Sequence, residues 1–237
     1  MERGIDRRTM LAASAAMLAL PNVAQADQQR RAMFAGTPLA ANRLAMTFSA
    51  VDLAFPPVTV VGDRGRQQLA GLTGKTRIVS LWAEWCAPCL LEARDFAALR
   101  PRFANDRFDI LSILTASMDG LDFAGAQKRL RRANAAGLPL LVEPNGGDRI
   151  IHTLSPGPGG RGDSLPCTLL VDPDGRIRGI AHGAPMTVPP AGGRVIDSRV
   201  LSAADKKAML VDGSHTMWAS PAGDEFVKAL RDGIALR

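Results

Sequence analysis

The sequence predicts an α/β fold in which a central mixed sheet is flanked by helices. Short apolar runs that suit buried strands alternate along the chain with stretches whose apolar residues recur at helical spacing. Such alternation favours parallel strands joined by crossover helices. Later in the chain, an Asp-Pro-Asp-Gly turn separates two apolar runs and predicts an antiparallel pair. With 237 residues, 46% of them hydrophobic, the chain suits one compact domain with additions.

The elements can be assigned in order. Residues 27–55 form a lead-in that we expect to be irregular or partly helical, and Pro56-Pro57 marks a boundary. Residues 58–61 predict a short strand, and a turn follows it over 62–65.

The strongest strand signal is the continuous apolar run over residues 77–83. A helix should follow it, because apolar residues then recur at helical spacing; they are Ala93, Phe96, Leu99 and Phe103. A second buried strand over 108–114, a helix over 123–135 and a short apolar run over 138–142 continue the alternation.

The second half of the chain predicts a short helix near 148–154 and a Gly/Pro-rich loop over 156–162. Strands over 165–171 and 176–182 should form the antiparallel hairpin. Ser220 followed by proline opens a last helix that reaches about residue 229.

Residues 1–26 have the pattern of an export signal. Arg7-Arg8 precedes a short apolar run, and a small-x-small cleavage site ends at Ala26. The route is either twin-arginine or general secretory, and we expect a periplasmic protein. An uncleaved membrane anchor is the alternative.

Charge and cysteine content exclude several classes of protein. The net charge of +6 is mildly basic, and a solvated helix face explains the densest basic run, residues 128–132, so no nucleic-acid partner is expected. Three cysteines are too few for a disulfide scaffold. Without a second C-x-x-C or histidines at ligand spacing, we expect no metal site and no cofactor.

The most informative stretch is residues 85–89, Trp-Cys-Ala-Pro-Cys, directly after the predicted central strand. At a helix N-terminus, unpaired N–H groups and the helix dipole favour negative charge, so Cys86 should ionise more readily than a free cysteine. Cys89 follows three residues later, close enough for a disulfide with Cys86. This pattern predicts a redox-active pair.

These residues resemble the thioredoxin fold, specifically the TlpA/ResA-like branch of exported thiol-disulfide oxidoreductases. The resemblance covers most of residues 58–183 and the last helix. It rests on the Trp-Cys-Ala-Pro-Cys motif, on Glu92 three residues later, and on Leu165-Pro166 leading into the hairpin. The predicted organisation is a signal peptide over 1–26, a lead-in over 27–55 and a thioredoxin-like domain over 56–237.

The resemblance also implies roles for the residues of the motif. Cys86 would be the exposed nucleophile, and Cys89 would resolve the mixed disulfide. Pro88 presets the first helical turn, and Trp85 would shield one side of the pair, with a plain core aromatic as the alternative. Pro166 matches the family's cis-proline, whose backbone packs against the cysteines and binds extended peptides.

Glu92 lies on the same helix face as Cys89, where this branch often has a carboxylate that moves protons or tunes the thiols. The alternative is an exposed acid near the helix N-terminus. The sequence departs from the family pattern at Arg94, which stands where a proline is common, and at Glu84, a second acid that could repel a thiolate.

The third cysteine, Cys167, directly follows Pro166. Strand alternation sends its side chain to the face opposite the cysteine pair, which favours inert packing over a redox role.

The segment over about 184–217 is longer than the fold needs between its last strand and last helix. Residues 185–193 look like a loop, and Ser202 resembles the cap of a short helix. We expect this insertion to flank or brace the active-site edge and to influence partner choice; a tolerated surface insertion is the alternative.

The favoured function is a dithiol reductase of protein disulfides, in cytochrome c maturation, at copper sites or in general thiol reduction. Residues 87–88 lack the histidine that stabilises the thiolate in oxidising members. The resemblance implies protein thiols and disulfides as partners, a membrane thiol electron donor of the DsbD/CcdA type, and a monomer. The alternatives are a disulfide oxidase or isomerase, and a Cu(I) metallochaperone using Cys86, Cys89 and His182.

Overall fold

The computed structural model of the protein describes residues 33–69, 72–144, 149–154, 165–187, 195–197 and 216–236. The predicted export signal, the predicted loop over 156–162 and the predicted capped helix near Ser202 lie outside these residues. Within the described part of the chain, no helix is long and apolar enough to cross a membrane.

The described strands are β1 (Ser49–Ala54), β2 (Val58–Gly62), β3 (Gly65–Leu69), β4 (Thr76–Ala83), β5 (Phe108–Ala116), β6 (Leu140–Val142), β7 (Cys167–Val171), β8 (Arg176–His182), β9 (Pro185–Thr187) and β10 (Val195–Asp197). The described α-helices are α1 (Ala87–Phe103), α2 (Phe123–Arg132), α3 (Arg149–Leu154) and α4 (Pro221–Arg231). Short 3₁₀ turns cover Pro38–Ala41, Ala45–Thr47 and Met217–Ala219.

Eight strands form one mixed sheet in the order β1-β8-β7-β4-β5-β6-β2-β3. The neighbours β4, β5 and β6 run parallel, whereas β7 is antiparallel to both β4 and β8. The predicted mixed sheet, its parallel crossovers and the hairpin are therefore confirmed. Strands β9 and β10 form a separate antiparallel pair, so residues 185–187 are a strand and not the predicted loop.

The central strand β4 separates two hydrophobic clusters. Ile78 and Trp82 pack into one cluster with residues of α1 and α4, whereas Val79 and Leu81 pack into the other with residues of α3. Because side chains alternate across a strand, Ser80 lies on the α1 side. This alternation decides which polar side chains of the sheet can reach α1.

The sequence did not predict the edge strands β1 and β3. Both are largely exposed, so neither carries the buried apolar pattern on which strand prediction depends. Strand β1 pairs with β8, and Asp52 on β1 accepts hydrogen bonds from Arg176 and Arg178. Part of the lead-in therefore belongs to the sheet.

The lead-in also contributes to the core through an aromatic cluster. Phe48 stacks on Phe226 of α4 with ring centroids 5.5 Å apart, and Phe34 meets the same ring edge-on. Trp218 lies 4.7 Å from Phe96 of α1, measured between ring centroids. The cluster joins the lead-in, α1, α4 and the 3₁₀ turn that precedes α4.

The contact between α4 and this 3₁₀ turn leaves no room for a side chain at Gly223. A Cβ there would lie 2.2 Å from the carbonyl oxygen of Trp218. We expect Gly223→Ala to lower the free energy of unfolding by about 2 kcal/mol, since neither backbone can yield cheaply. Gly137→Ala is the matched control, because a Cβ at Gly137 meets nothing within 4 Å. Equal stability of the two variants in urea unfolding would contradict this packing argument.

Candidate active site

The two cysteines of the motif form a disulfide at the N-terminus of α1. Their Cα atoms lie 5.3 Å apart. Cys86 is the N-cap residue, and its Sγ accepts a hydrogen bond from the Cys89 backbone N–H at 3.3 Å. Pro88 occupies the first turn, where a missing N–H costs nothing. The predicted disulfide-forming geometry is confirmed.

The accessibility of the pair differs from the expectation. Cys86 was expected to be exposed, but in this disulfide-bonded form it is only 4% exposed, because it packs into the α1 cluster. Cys89 is completely buried. Of the two sulfur-bearing residues, Cys86 is thus the one that a partner can approach.

Trp85 is 54% exposed, so the alternative of a core aromatic is wrong. It directly precedes Cys86, so an exposed aromatic side chain stands next to the disulfide in the sequence. This placement is consistent with a side chain that covers one flank of the disulfide while contacting solvent.

Pro166 directly precedes β7, an interior strand, at the end of the sheet where β4 finishes and α1 begins. The Leu165–Pro166 bond is cis, as the resemblance implied. The next residue, Cys167, pairs with Leu81 near the end of β4, and β4 leads directly into the cysteine motif. The Pro166 carbonyl accepts a hydrogen bond from the Gly183 N–H at 2.7 Å, which ties the start of β7 to the end of β8.

The carboxylate of Glu92 is completely buried beneath the disulfide-bearing turn of α1, so the alternative of an exposed helix acid is wrong. It accepts hydrogen bonds from Ser80 Oγ and Thr168 Oγ1, each at 3.1 Å, and from Trp218 Nε1 at 2.9 Å. Burial raises the pKa of Glu92 to about 7, and these hydrogen bonds oppose part of that rise. The group can therefore gain or lose a proton near neutral pH.

A second buried carboxylate, Asp95, lies one turn further along α1 and was missed by the sequence analysis. Its Oδ2 accepts hydrogen bonds from the backbone N–H and the hydroxyl of Thr216, at 2.7 and 2.9 Å. Arg94, the departure from the family pattern, contacts Asp95 Oδ1 through its Nε at 3.2 Å. No local signal reveals the Asp95 contact, because Thr216 is 121 residues away in the sequence.

Glu84 has a structural role that the sequence did not indicate. Its Oε1 accepts hydrogen bonds from the backbone N–H groups of Met118 and Asp119, which fixes the loop after β5. Its carbonyl oxygen accepts two hydrogen bonds from the Arg129 guanidinium, at 2.9 and 3.1 Å. The solvated-face interpretation of residues 128–132 is therefore wrong for Arg129, which braces the backbone beside Trp85.

Cys167 lies on the opposite face of the sheet from the redox pair, as strand alternation predicted. It belongs to the cluster that contains Val79 and Leu81, whereas Cys86 and Cys89 belong to the α1 cluster. Burial, and to a lesser extent the charge of Glu92, raises the pKa of the Cys167 thiol well above its usual range. The thiol is thus held in its unreactive form.

The histidines do not join a metal-binding cluster in the part of the chain that the structure covers. No group of three or more His, Cys, Asp or Glu side chains is found there that could hold a metal ion. His182 pairs with Cys167 across β7 and β8, at the same edge of the sheet as Pro166.

The fold and the site together define a thioredoxin-like domain with a disulfide at the start of the helix that follows its central strand. Residues 49–180, more than half of the chain, match the AhpC/TSA family, so the chain belongs to that family. The matched range begins at the first residue of β1, one of the strands that the sequence analysis missed.

The curated relatives of this chain include four proteins named thiol-disulfide oxidoreductase ResA. The one from Bacillus thuringiensis (strain Al Hakam) is 29% identical over 123 residues, which cover 52% of this chain and 64% of that protein. The one from Oceanobacillus iheyensis is 24% identical over 136 residues, covering 57% of this chain and 64% of that protein. The chain thus spans less than two thirds of the length of these relatives.

Solved structures to which the chain is similar include the exposed lipoprotein thioredoxin of Streptococcus pneumoniae strain TIGR4. It is 23% identical, with a TM-score of 0.41, and the match covers 54% of this chain and 90% of that one. A thiol:disulfide interchange protein of the thioredoxin family from Chlorobium tepidum TLS is 20% identical, with a TM-score of 0.42, over 62% of this chain and 90% of that one.

The raised pKa of Glu92 makes a prediction about stability. Because the folded protein holds this proton at a pH where the unfolded chain loses it, the contribution of Glu92 to the free energy of unfolding falls as pH rises from 4.5 to about 7. The fall is about 3 kcal/mol for a shift of this size. Glu92→Gln, which mimics the protonated acid, should abolish this component.

The measurement is urea unfolding of the disulfide-bonded protein at about pH 4.5 and about pH 8, the two ends of the titration. The difference between wild type and Glu92→Gln should grow in favour of the variant at the higher pH. Asp106→Asn is the control, since Asp106 is an exposed carboxylate. A variant with the same pH dependence as wild type would show that Glu92 titrates normally.

Proposed function

We propose that the protein is an exported thiol-disulfide oxidoreductase that works as a dithiol reductase of protein disulfides. The observation that carries the disulfide-exchange chemistry is the hydrogen bond from the Cys89 N–H to Cys86 Sγ at the N-terminus of α1, whereas the direction of the reaction rests on Glu92. In the reduced protein, the same N–H and the helix dipole would stabilise a thiolate at Cys86, and this thiolate is the attacking group in disulfide exchange.

The reaction proceeds by two exchanges at sulfur. The Cys86 thiolate attacks one sulfur of the partner disulfide, which forms a mixed disulfide and releases the other partner sulfur as a thiolate. Cys89, once deprotonated, attacks Cys86 Sγ, which closes the Cys86–Cys89 bond and releases the second partner sulfur. The partner gains two electrons and, with protons from solvent, two thiols; the cysteine pair is oxidised by the same two electrons.

Glu92 fits the role of a proton acceptor in the second exchange. It follows Cys89 by three residues on α1, on the same face of the helix, and its pKa of about 7 lets it take up a proton at neutral pH. We propose that Glu92 accepts the Cys89 proton as that thiol becomes a nucleophile. Its hydrogen-bond partners hold the carboxylate at one position during the transfer.

The same carboxylate favours reduction over oxidation as the direction of the reaction. A disulfide oxidant is strongly oxidising because its reduced form is stabilised, chiefly as a thiolate. Here residues 87–88 provide no histidine, and ionised Glu92 adds a negative charge that disfavours the thiolate. Both features lower the reduction potential and make the dithiol a better electron donor.

The cellular context is part of the proposal. Residues 1–26 support export to the periplasm, where partner disulfides persist and where a membrane thiol donor of the DsbD/CcdA type would re-reduce the Cys86–Cys89 bond. Four ResA proteins among the relatives are named thiol-disulfide oxidoreductases, which supports the same chemistry. As substrates we propose the disulfides formed by the cysteines of apo-cytochromes or of copper-site proteins.

The reduction potential tests the direction. We expect a value near that of thioredoxin, roughly −270 mV, when the Cys86–Cys89 pair is equilibrated with glutathione or dithiothreitol buffers. Cys167→Ser should leave the value unchanged, because that thiol is buried on the other face of the sheet. A potential near −120 mV would instead identify a disulfide oxidase.

A trapping experiment tests the partners. Cys89→Ser removes the resolving thiol, so partner proteins should accumulate as mixed disulfides on Cys86 in the periplasmic fraction of the native host. Cys86→Ser is the control and should capture none. Capture of cytochrome or copper-site apoproteins would support the proposed pathway. An empty trap, together with stoichiometric Cu(I) binding by the wild type, would favour the metallochaperone.

A further inference from the structure

A groove beside the redox pair combines exposed apolar and basic side chains. It lies between α2 and the loop after β5, and its lining includes Trp85, Met118, Lys128, Arg129 and Arg132. We call this surface the basic groove. It begins at the residue that precedes Cys86, so a polypeptide that reaches the disulfide can continue into it.

The apolar side chains of the basic groove are exposed on backbone that is held in place. Trp85 is 54% exposed and Met118 is 83% exposed. Glu84, which precedes Trp85, holds this backbone in place. Its carboxylate accepts a hydrogen bond from the Met118 N–H, and its carbonyl oxygen accepts one from the Arg129 guanidinium. Large apolar side chains displayed together on a braced backbone are typical of a protein contact surface.

The charges of the groove favour an acidic partner. Lys128 and Arg132 are exposed, and neither forms an ion pair within the described residues. Arg129 and Arg132 also line the adjoining surface along α1, together with Arg94, so the positive region extends past the groove. Asp119 is the exposed acid in the lining, and the basic side chains outnumber it.

We propose that the basic groove binds an extended client segment that carries acidic residues and an apolar residue next to its reactive cysteine. This inference deepens the proposed function, because it names the sequence class of client that the redox pair acts on. The apolar residue packs against Trp85 and Met118, and the acidic residues meet Lys128 and Arg132. The groove thereby selects clients by the sequence that flanks their disulfide.

The test measures binding without redox chemistry. Two synthetic peptides carry a leucine beside a serine that replaces the reactive cysteine, and they differ only in flanking glutamates or flanking lysines. Fluorescence anisotropy with the disulfide-bonded protein should show the glutamate peptide binding about tenfold more tightly at low salt, with the difference lost at about 1 M salt. Equal binding of the two peptides at low salt would overturn the proposal.

Charge reversal locates the site. Lys128→Glu with Arg132→Glu should remove the preference for the glutamate peptide. Arg107→Glu with Arg131→Glu changes the net charge by the same amount, but Arg107 precedes β5 at the other end of the sheet and Arg131 is absent from the groove lining. This control should keep the preference. If both double variants lost it equally, the preference would come from net charge and the groove would be rejected.

Turnover separates this inference from the proposed function. Cysteine-containing versions of the same peptides, as mixed disulfides, serve as substrates. The variant Lys128→Glu with Arg132→Glu should have a lower kcat/KM for the acidic peptide. Its rate with 2-hydroxyethyl disulfide, a small neutral substrate, should stay the same. No reduction of any disulfide by wild type would reject the redox proposal alone, since binding is measured independently. Unequal binding with equal turnover of the two peptides would reject client selection.

Discussion

The buried carboxylate of Glu92 is the interaction on which the arrangement of the site depends. It joins α1 to Ser80 of the central strand, to Thr168 of β7 and to Trp218 of the turn before α4. Removing a carboxylate from water is costly unless hydrogen bonds compensate for the loss. Here three hydrogen-bond donors offset part of the desolvation, and the remainder raises the pKa of Glu92 to about 7. The helix that presents the cysteines is thus fixed to the sheet through a group that titrates near neutral pH.

Two electrostatic effects of opposite sign meet at the cysteine pair. The N-terminus of α1 favours a thiolate at Cys86, and the charge of Glu92 one turn further along disfavours it. Because the pKa of Glu92 is about 7, the balance between these effects changes around neutral pH. The helix N-terminus alone would predict a more acidic thiol and a more oxidising pair than the two effects together.

The central part of the fold could be predicted from sequence because its signals are local. Strand β4, the cysteine motif, α1 and the β7–β8 hairpin each show an apolar run, a helical spacing or a turn within a few residues. The edge strands β1 and β3 escaped prediction since exposed strands carry no buried pattern. Likewise, no local pattern encodes contacts between residues that are distant in the sequence, such as the hydrogen bond of Asp95 with Thr216 or that of Arg129 with Glu84. Glu92 was singled out, but no local pattern encodes its hydrogen bonds from Thr168 and Trp218, which lie 76 and 126 residues away in the sequence.

Both ends of the insertion are attached to the helix that carries the redox pair. At its start, Ala184 and Met186 pack against Leu91 of α1, and at its end Thr216 binds Asp95 one turn further along the same helix. Met186 and Thr216 also form a β-bridge, which closes the base of the segment. Since the Gly183 N–H binds the Pro166 carbonyl, the segment leaves the sheet at the cis-proline and returns at α1. A tolerated surface insertion needs no such anchoring, so these contacts favour an insertion that braces the active-site edge. Its anchors lie on α1 and at Pro166, whereas the basic groove lies between α2 and the loop after β5. A client at the disulfide would therefore have two separate features of the protein nearby, the anchored ends of the insertion and the basic groove.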